Sequence, residues 1–175
     1  TILRVLSRLV QEGKILRIQN SIYYKPEFNR FLKGRPVPPD VNEVIKVISN
    51  RNKETLQIHG SSAVNKLGLS TQVPLTKVFY TNGPSREVII AGTRVKFIHT
   101  ENQNILQASG TEVGMALSAL IFLGREHVDQ EVVRQVKSRL SENHFKRLKR
   151  MQMSSWLKER LSDPAVKESS YALAG

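Results

Sequence analysis

Three prolines fall within four residues in Gly34-Arg35-Pro36-Val37-Pro38-Pro39, and no regular element can run through that stretch. Proline fixes φ and removes the backbone donor, so neither a helix nor an inner strand survives there. Whatever precedes residue 35 must be organised apart from whatever follows Asp40. On that footing the sequence predicts an N-terminal part at 1–34 and a linker at 35–39. After the linker come a mixed helix and antiparallel-sheet domain at 40–110 and a helical region at 111–175. The expected fold class is α+β.

The first part reads as a helix followed by a hairpin. Over residues 1–12, Ile2, Leu6 and Leu9 share one stripe, with Leu3, Val5 and Val10 beside it. Arg4, Ser7, Arg8 and Gln11 lie towards the other side. Gly13 stands where a left-handed cap belongs. Two β-like runs, 15–18 and 22–25, flank the turn Gln19-Asn20-Ser21, in which Asn20 tolerates positive φ. Pro26 ends the second run.

Beyond the linker, Asp40 caps a helix with Val41, Val44, Ile45 and Ile48 on its apolar stripe. A strand is expected at 55–60, then a short helix capped by Ser61 or Ser62 and stopped by Gly68. Strands at about 76–81, 86–91 and 93–99 are separated by Asn82-Gly83-Pro84-Ser85 and Ala91-Gly92-Thr93. Ser109 with Glu112 reads as a capping box opening a helix striped by Val113, Ala116, Leu117, Leu120 and Ile121. A second helix starts at Asp129, with Val128 and Val133 as a hydrophobic staple. A third runs from about Ser141 to Met151. A fourth carries Trp156, Leu157 and Leu161, and a loose tail follows Pro164.

Charge narrows the function. The chain has 27 Lys and Arg against 15 Asp and Glu, a net +12. Eight basic and two acidic residues lie within 1–35, so half of the excess sits in the first fifth of the chain. A concentrated basic region favours a polyanionic partner, nucleic acid or an acidic protein surface. There is no Cys, which excludes disulfides and thiolate metal sites. The longest apolar stretch, 115–123, is too short for a bilayer, and Thr1-Ile2-Leu3-Arg4 does not open a secretory leader. A cytoplasmic protein is expected.

Enzyme signatures are few. His59, His99, His127 and His144 are scattered without ligand spacing, so no metal and no cofactor is expected. A nucleophile elbow and a Gly-rich phosphate loop are missing. Asp40, Glu43 and Lys46 echo a nuclease pattern, but the spacing is wrong and a capped helix accounts for them. A spatial Ser-His-Asp triad stays open.

Helix, then strand–turn–strand, is the second half of a winged helix. There the last helix enters the major groove and the hairpin touches backbone or minor groove. Thr1, Arg4, Ser7 and Arg8 on the helix, with Lys14, Arg17, Gln19 and Asn20 on the wing, are the candidate DNA contacts. Arg can pair bidentately with guanine, while Lys and Arg neutralise phosphates. Lys146, Arg147, Lys149 and Arg150 form a second candidate basic surface, for phosphates or an acidic protein. Lys77, Arg86, Arg94 and Lys96 read as a basic sheet face or an ordinary wet one.

The stretch Leu6-Ser7-Arg8-Leu9-Val10-Gln11-Glu12-Gly13-Lys14-Ile15, followed by Ile22-Tyr23-Tyr24-Lys25-Pro26, resembles the AbiEi-like antitoxin family of bacterial winged-helix regulators. Leu67-Gly68-Leu69-Ser70-Thr71-Gln72-Val73-Pro74 and Thr81-Asn82-Gly83-Pro84-Ser85-Arg86 resemble that family's second domain. The resemblance covers roughly residues 1–110. It implies a cytoplasmic repressor that binds double-stranded operator DNA at its own promoter. It also implies the antitoxin role in a type IV toxin–antitoxin system, opposing a nucleotidyltransferase-like toxin. Two helices that precede Thr1 in the family are not in this sequence, so a truncated winged helix is expected. Where the family usually has Gly before Ile-Tyr-Tyr, this chain has Ser21. The alternative function is a protein-interaction module whose basic surface takes a toxin or an RNA.

Overall fold

The computed structural model describes residues 1–163, so the tail expected after Pro164 lies outside the described residues. Helices α1 (Ile2–Gln11), α2 (Val41–Asn52), α3 (Gly60–Lys66), α4 (Glu112–Leu123), α5 (Gln130–Arg139), α6 (Glu142–Lys149) and α7 (Ser155–Ser162) are joined by two sheets. Strands β1 (Leu16–Gln19) and β2 (Ile22–Tyr24) form an antiparallel hairpin. Strands β3 (Leu56–Ile58), β4 (Lys77–Thr81), β5 (Arg86–Ile90) and β6 (Thr93–His99) form a second sheet in the order β3-β4-β6-β5. The fold is α+β.

That second sheet is mixed, where the sequence pointed to an antiparallel one. β3 and β4 pair antiparallel, but β6 separates β4 from β5. The Asn82-Gly83-Pro84-Ser85 connection is therefore no hairpin turn. Thr100 N donates to Thr81 O at 2.9 Å, which brings the ends of β6 and β4 together. Strand order of this kind depends on long-range pairing, which local turn signals do not carry.

The chain divides into two compact units, Thr1–Glu54 with Val88–Val95, and Thr55–Glu87 with Lys96 onward. The division differs from the sequence reading. The proline segment lies inside the first unit, because its backbone is tied back: Phe28 and Pro36 form an isolated antiparallel bridge, and Val37 N donates to Glu27 O at 2.7 Å. α2 follows in the same unit. Asp40 caps it through Asn42 N and Glu43 N at 2.7 and 3.0 Å, and Val44, Ile45 and Ile48 are buried.

The second unit holds the larger core. Ala63, Val64 and Leu67 of α3 pack in one cluster with Val113, Leu117 and Leu120 of α4. Val133 and Val136 of α5, Phe145 and Leu148 of α6, and Leu157 and Leu161 of α7 complete it. The helical region is thus not separate from the segment before it. α3 lies against α4 so closely that a Cβ on Gly60 would fall 2.0 Å from Phe122 Cβ. No side chain fits there, which fixes glycine at that place. Gln57, buried in β3, donates through Nε2 to Ile105 O and Gln107 O, and Ser118 Oγ in α4 donates to Ile58 O at 2.7 Å. Buried polar groups satisfied in this way hold strand and helix in one register.

Two expected caps moved. α3 is capped by His59, whose Nδ1 accepts from Ser61 N at 3.2 Å, and not by Ser61 or Ser62. An imidazole nitrogen does the work a hydroxyl usually does. α4 is capped by Thr111, whose hydroxyl accepts from Gly114 N at 3.2 Å, and not by Ser109. Ser109 Oγ instead donates to Leu106 O at 2.6 Å, and Glu112 reaches His144. The staple of Val128 and Val133 around Asp129 is present, with both valines fully buried.

Candidate nucleic-acid interface

α1 forms because six of its ten residues are apolar and fall on one side. It ends at Gly13, where φ is +67° and the Lys14 amide closes onto Leu9 O at 2.9 Å. Yet α1 buries none of its residues fully. Leu6, Leu9 and Val10 are half-buried, while Ile2 and Leu3 are 79% and 73% exposed.

The polar side of α1 is open. Thr1 stands at its N-cap without a side-chain cap bond, and Ser7 is exposed. Arg4 is exposed and has no ion pair among the described residues. Arg8 differs, since its Nε lies 3.6 Å from Glu12 Oε1. Lys14 Nζ sits 2.8 Å from the other oxygen of the same carboxylate. Glu12 thus takes up part of the positive charge of two candidate contacts, and Arg4 keeps all of its own.

The hairpin is present, with a register shift between Arg17 and Gln19, and it differs from the expected one at its turn. Ser21, not Asn20, takes the left-handed conformation, with φ at +61°. Asn20 is then free to work with its side chain. Its Oδ1 accepts from Arg17 Nη2, and Arg17 Nε also reaches Gln19 O at 3.4 Å. Arg51, from the last turn of α2, donates through Nη1 to Asn20 O at 2.8 Å. Two guanidiniums therefore converge on one exposed asparagine. Gln19, by contrast, is half-buried.

Sequence reasoning missed Arg51. A basic residue in the last turn of a helix was visible, but the partner lies 31 positions away. No local pattern reports such a contact.

The second basic surface is only partly as expected. On α6, Lys146 is bound to Glu142 at 2.7 Å, and that contact holds the Glu142 carboxyl below its usual range. Lys149 is half-buried, while Arg147 and Arg150 are exposed and unpaired among the described residues. The four residues thus do not act as one uniform patch.

The sheet cations separate as well. Arg86 is packed, its guanidinium 4.3 Å from the Phe97 ring centre and its Nη1 on Pro84 O. Lys77 is half-buried. Arg94 and Lys96 are exposed on alternate positions of β6. Among the described residues, no group of three His, Asp or Glu is placed to hold a metal, and no helix is long and apolar enough to cross a membrane.

No curated protein and no solved structure matches this chain. One family matches residues 1–148, so the chain belongs to DUF6088, a family of unknown function.

Proposed function

We propose that this protein is a DNA-binding transcriptional regulator of the winged-helix type. It acts as the antitoxin of a bacterial type IV toxin–antitoxin system and represses its own promoter. It works in the cytoplasm and without catalysis of its own, and its other partner is a nucleotidyltransferase-like toxin. The antitoxin assignment rests on the sequence resemblance alone. The DNA-binding part rests on one structural observation: Arg17 and Arg51 meet at the exposed tip of a hairpin that directly follows a helix bearing the unpaired Arg4.

That arrangement suits groove docking. A helix N-terminus in the major groove places its first residues against base edges, while a wing neutralises phosphates beside it. Arg4 lies in the first turn of α1, one turn before Arg8. Arg17 and Arg51 are held by Asn20, so little side-chain freedom remains to be lost on binding a phosphate.

The test is titration of the full protein with its upstream DNA and with random duplex over a salt series. Arg4→Ala is expected to lower operator affinity by roughly 1–3 kcal/mol and random binding much less. Arg17→Ala is expected to weaken both and flatten the salt slope by about one. Operator binding by both variants at the parent's level would refute the docking. The second reading, a protein-interaction surface, would then rest on Arg147 and Arg150 of α6, which are exposed and unpaired.

A further inference from the structure

The segment between β2 and α2 is a closed loop with an unusual cargo. The Phe28–Pro36 bridge and the 2.7 Å bond from Val37 N to Glu27 O seal its base. Within it, Arg30–Leu32 makes one 3-10 turn, capped by Asn29 Oδ1 accepting from Phe31 N at 3.0 Å. Lys33 and Gly34 then turn the chain back with φ at +49° and +80°. This ordered frame holds Phe31 out at 92% exposure, with Phe28 at 64%. An open cavity of about 480 Å³, lined by Glu27, Phe28, Asn29, Arg30, Phe31 and Val37, lies beside the ring.

Folding does not explain that placement. A phenylalanine contributes to stability by leaving water, and this one does not leave it. Arg30, Lys33 and Arg35 lie on the same loop within four residues of it, all exposed and without an ion pair among the described residues. An apolar ring flanked by three free cations matches a polyanion that carries flat apolar faces inside it. Duplex DNA is such a partner. Apolar wedges inserted between base steps, with basic side chains on the flanking phosphates, are a known physical solution for kinking it.

We propose that loop 27–37 is an aromatic wedge that seats Phe31 against a base step of double-stranded DNA, with Arg30, Lys33 and Arg35 on the adjoining phosphates. This rests on the DNA-binding reading and adds to it a contact that bends the duplex. The bonded and capped frame favours a duplex over a lipid surface. A wedge must be held rigid to unstack bases, whereas a membrane accepts a ring from a loose loop.

The experiment uses the full protein with duplexes of its upstream DNA carrying 2-aminopurine at successive TA and CA steps. The expected result is a fluorescence rise at one step on binding, which Phe31→Ala abolishes and Phe31→Trp keeps. Phe31→Ala is also expected to weaken duplex binding about tenfold or more. The ring is exposed, so the variant keeps the fold. Duplex binding with unchanged affinity and fluorescence in Phe31→Ala overturns the wedge while leaving the DNA reading intact. Absence of any duplex binding by the parent overturns both. Phe31-dependent binding to phosphatidylserine vesicles without a fluorescence rise on DNA also overturns the wedge, and assigns the loop to a membrane surface.

Discussion

α1 and α4 are helices of similar length, ten and twelve residues, with opposite fates. α4 is apolar nearly all round and buries seven residues, from Val113 to Leu120. α1 is strongly two-sided and buries none. A marked stripe states which side of a helix wants cover, but it does not supply the cover. In the second unit the cover comes from four other helices. In the first unit Ile2, Leu3 and Val5 face water among the described residues. Buried polar groups follow the cover: Gln57 and Ser118 in the second unit are buried and bonded inward to backbone carbonyls.

The contrast is broken most directly by truncating one leucine in each helix. Leu120→Ala is expected to lower unfolding free energy by about 2–5 kcal/mol, because it empties a fully buried site. Leu3→Ala is expected to change it by less than about 0.5 kcal/mol. Denaturant unfolding of both variants reads the difference. A loss for Leu3→Ala equal to that for Leu120→Ala would mean that α1 is covered in solution, and the comparison would fail.

A smaller effect of opposite sign is expected at the hairpin. Ser21 holds a left-handed conformation that costs an ordinary residue about 1–2 kcal/mol and glycine little. Part of that gain is returned through the greater freedom of glycine in the unfolded chain. Ser21→Gly should therefore stabilise the first unit by about 0.5–1 kcal/mol, and protection of the β1 and β2 amides in hydrogen exchange should rise. Unchanged or lower protection would show that the turn is not held as described.

The smallest effect concerns the second unit and pH. Partial burial, and then the charge of Lys96, lower the His59 pKa below its ordinary value. The neutral ring is the form that caps α3, since Nδ1 must accept. Stability from this group is complete above the unfolded value of about 6.5 and is lost as pH falls towards the lower folded value. Thermal midpoints should therefore drop across that interval, and His59→Asn, which can still cap, should flatten the drop. A midpoint that falls equally in His59→Asn would remove His59 as the cause.

Much of this protein was legible in its sequence. Every helix and strand expected within the described residues is present, most within one or two residues of its expected bounds. Local rules suffice where both partners of an interaction are neighbours. Asp40 bonds to amides two and three residues on, and Gly13 needs only its own φ. Even the hairpin was visible, although the turn chose Ser21 and left Asn20 to hold Arg17.

What the tertiary structure alone decided involves residues far apart in the chain. Strand order put β6 between β4 and β5 and made the sheet mixed. Arg51 joined the hairpin tip from α2, 31 positions away from its partner Asn20. The proline segment, expected to divide the chain, folded back and closed the loop that leaves Phe31 in solvent. The sequence determines what each residue can do with its near neighbours, because those contacts are fixed by backbone geometry. Which distant residue arrives to complete a pair is set by the packing of whole elements, and no window along the chain contains that information.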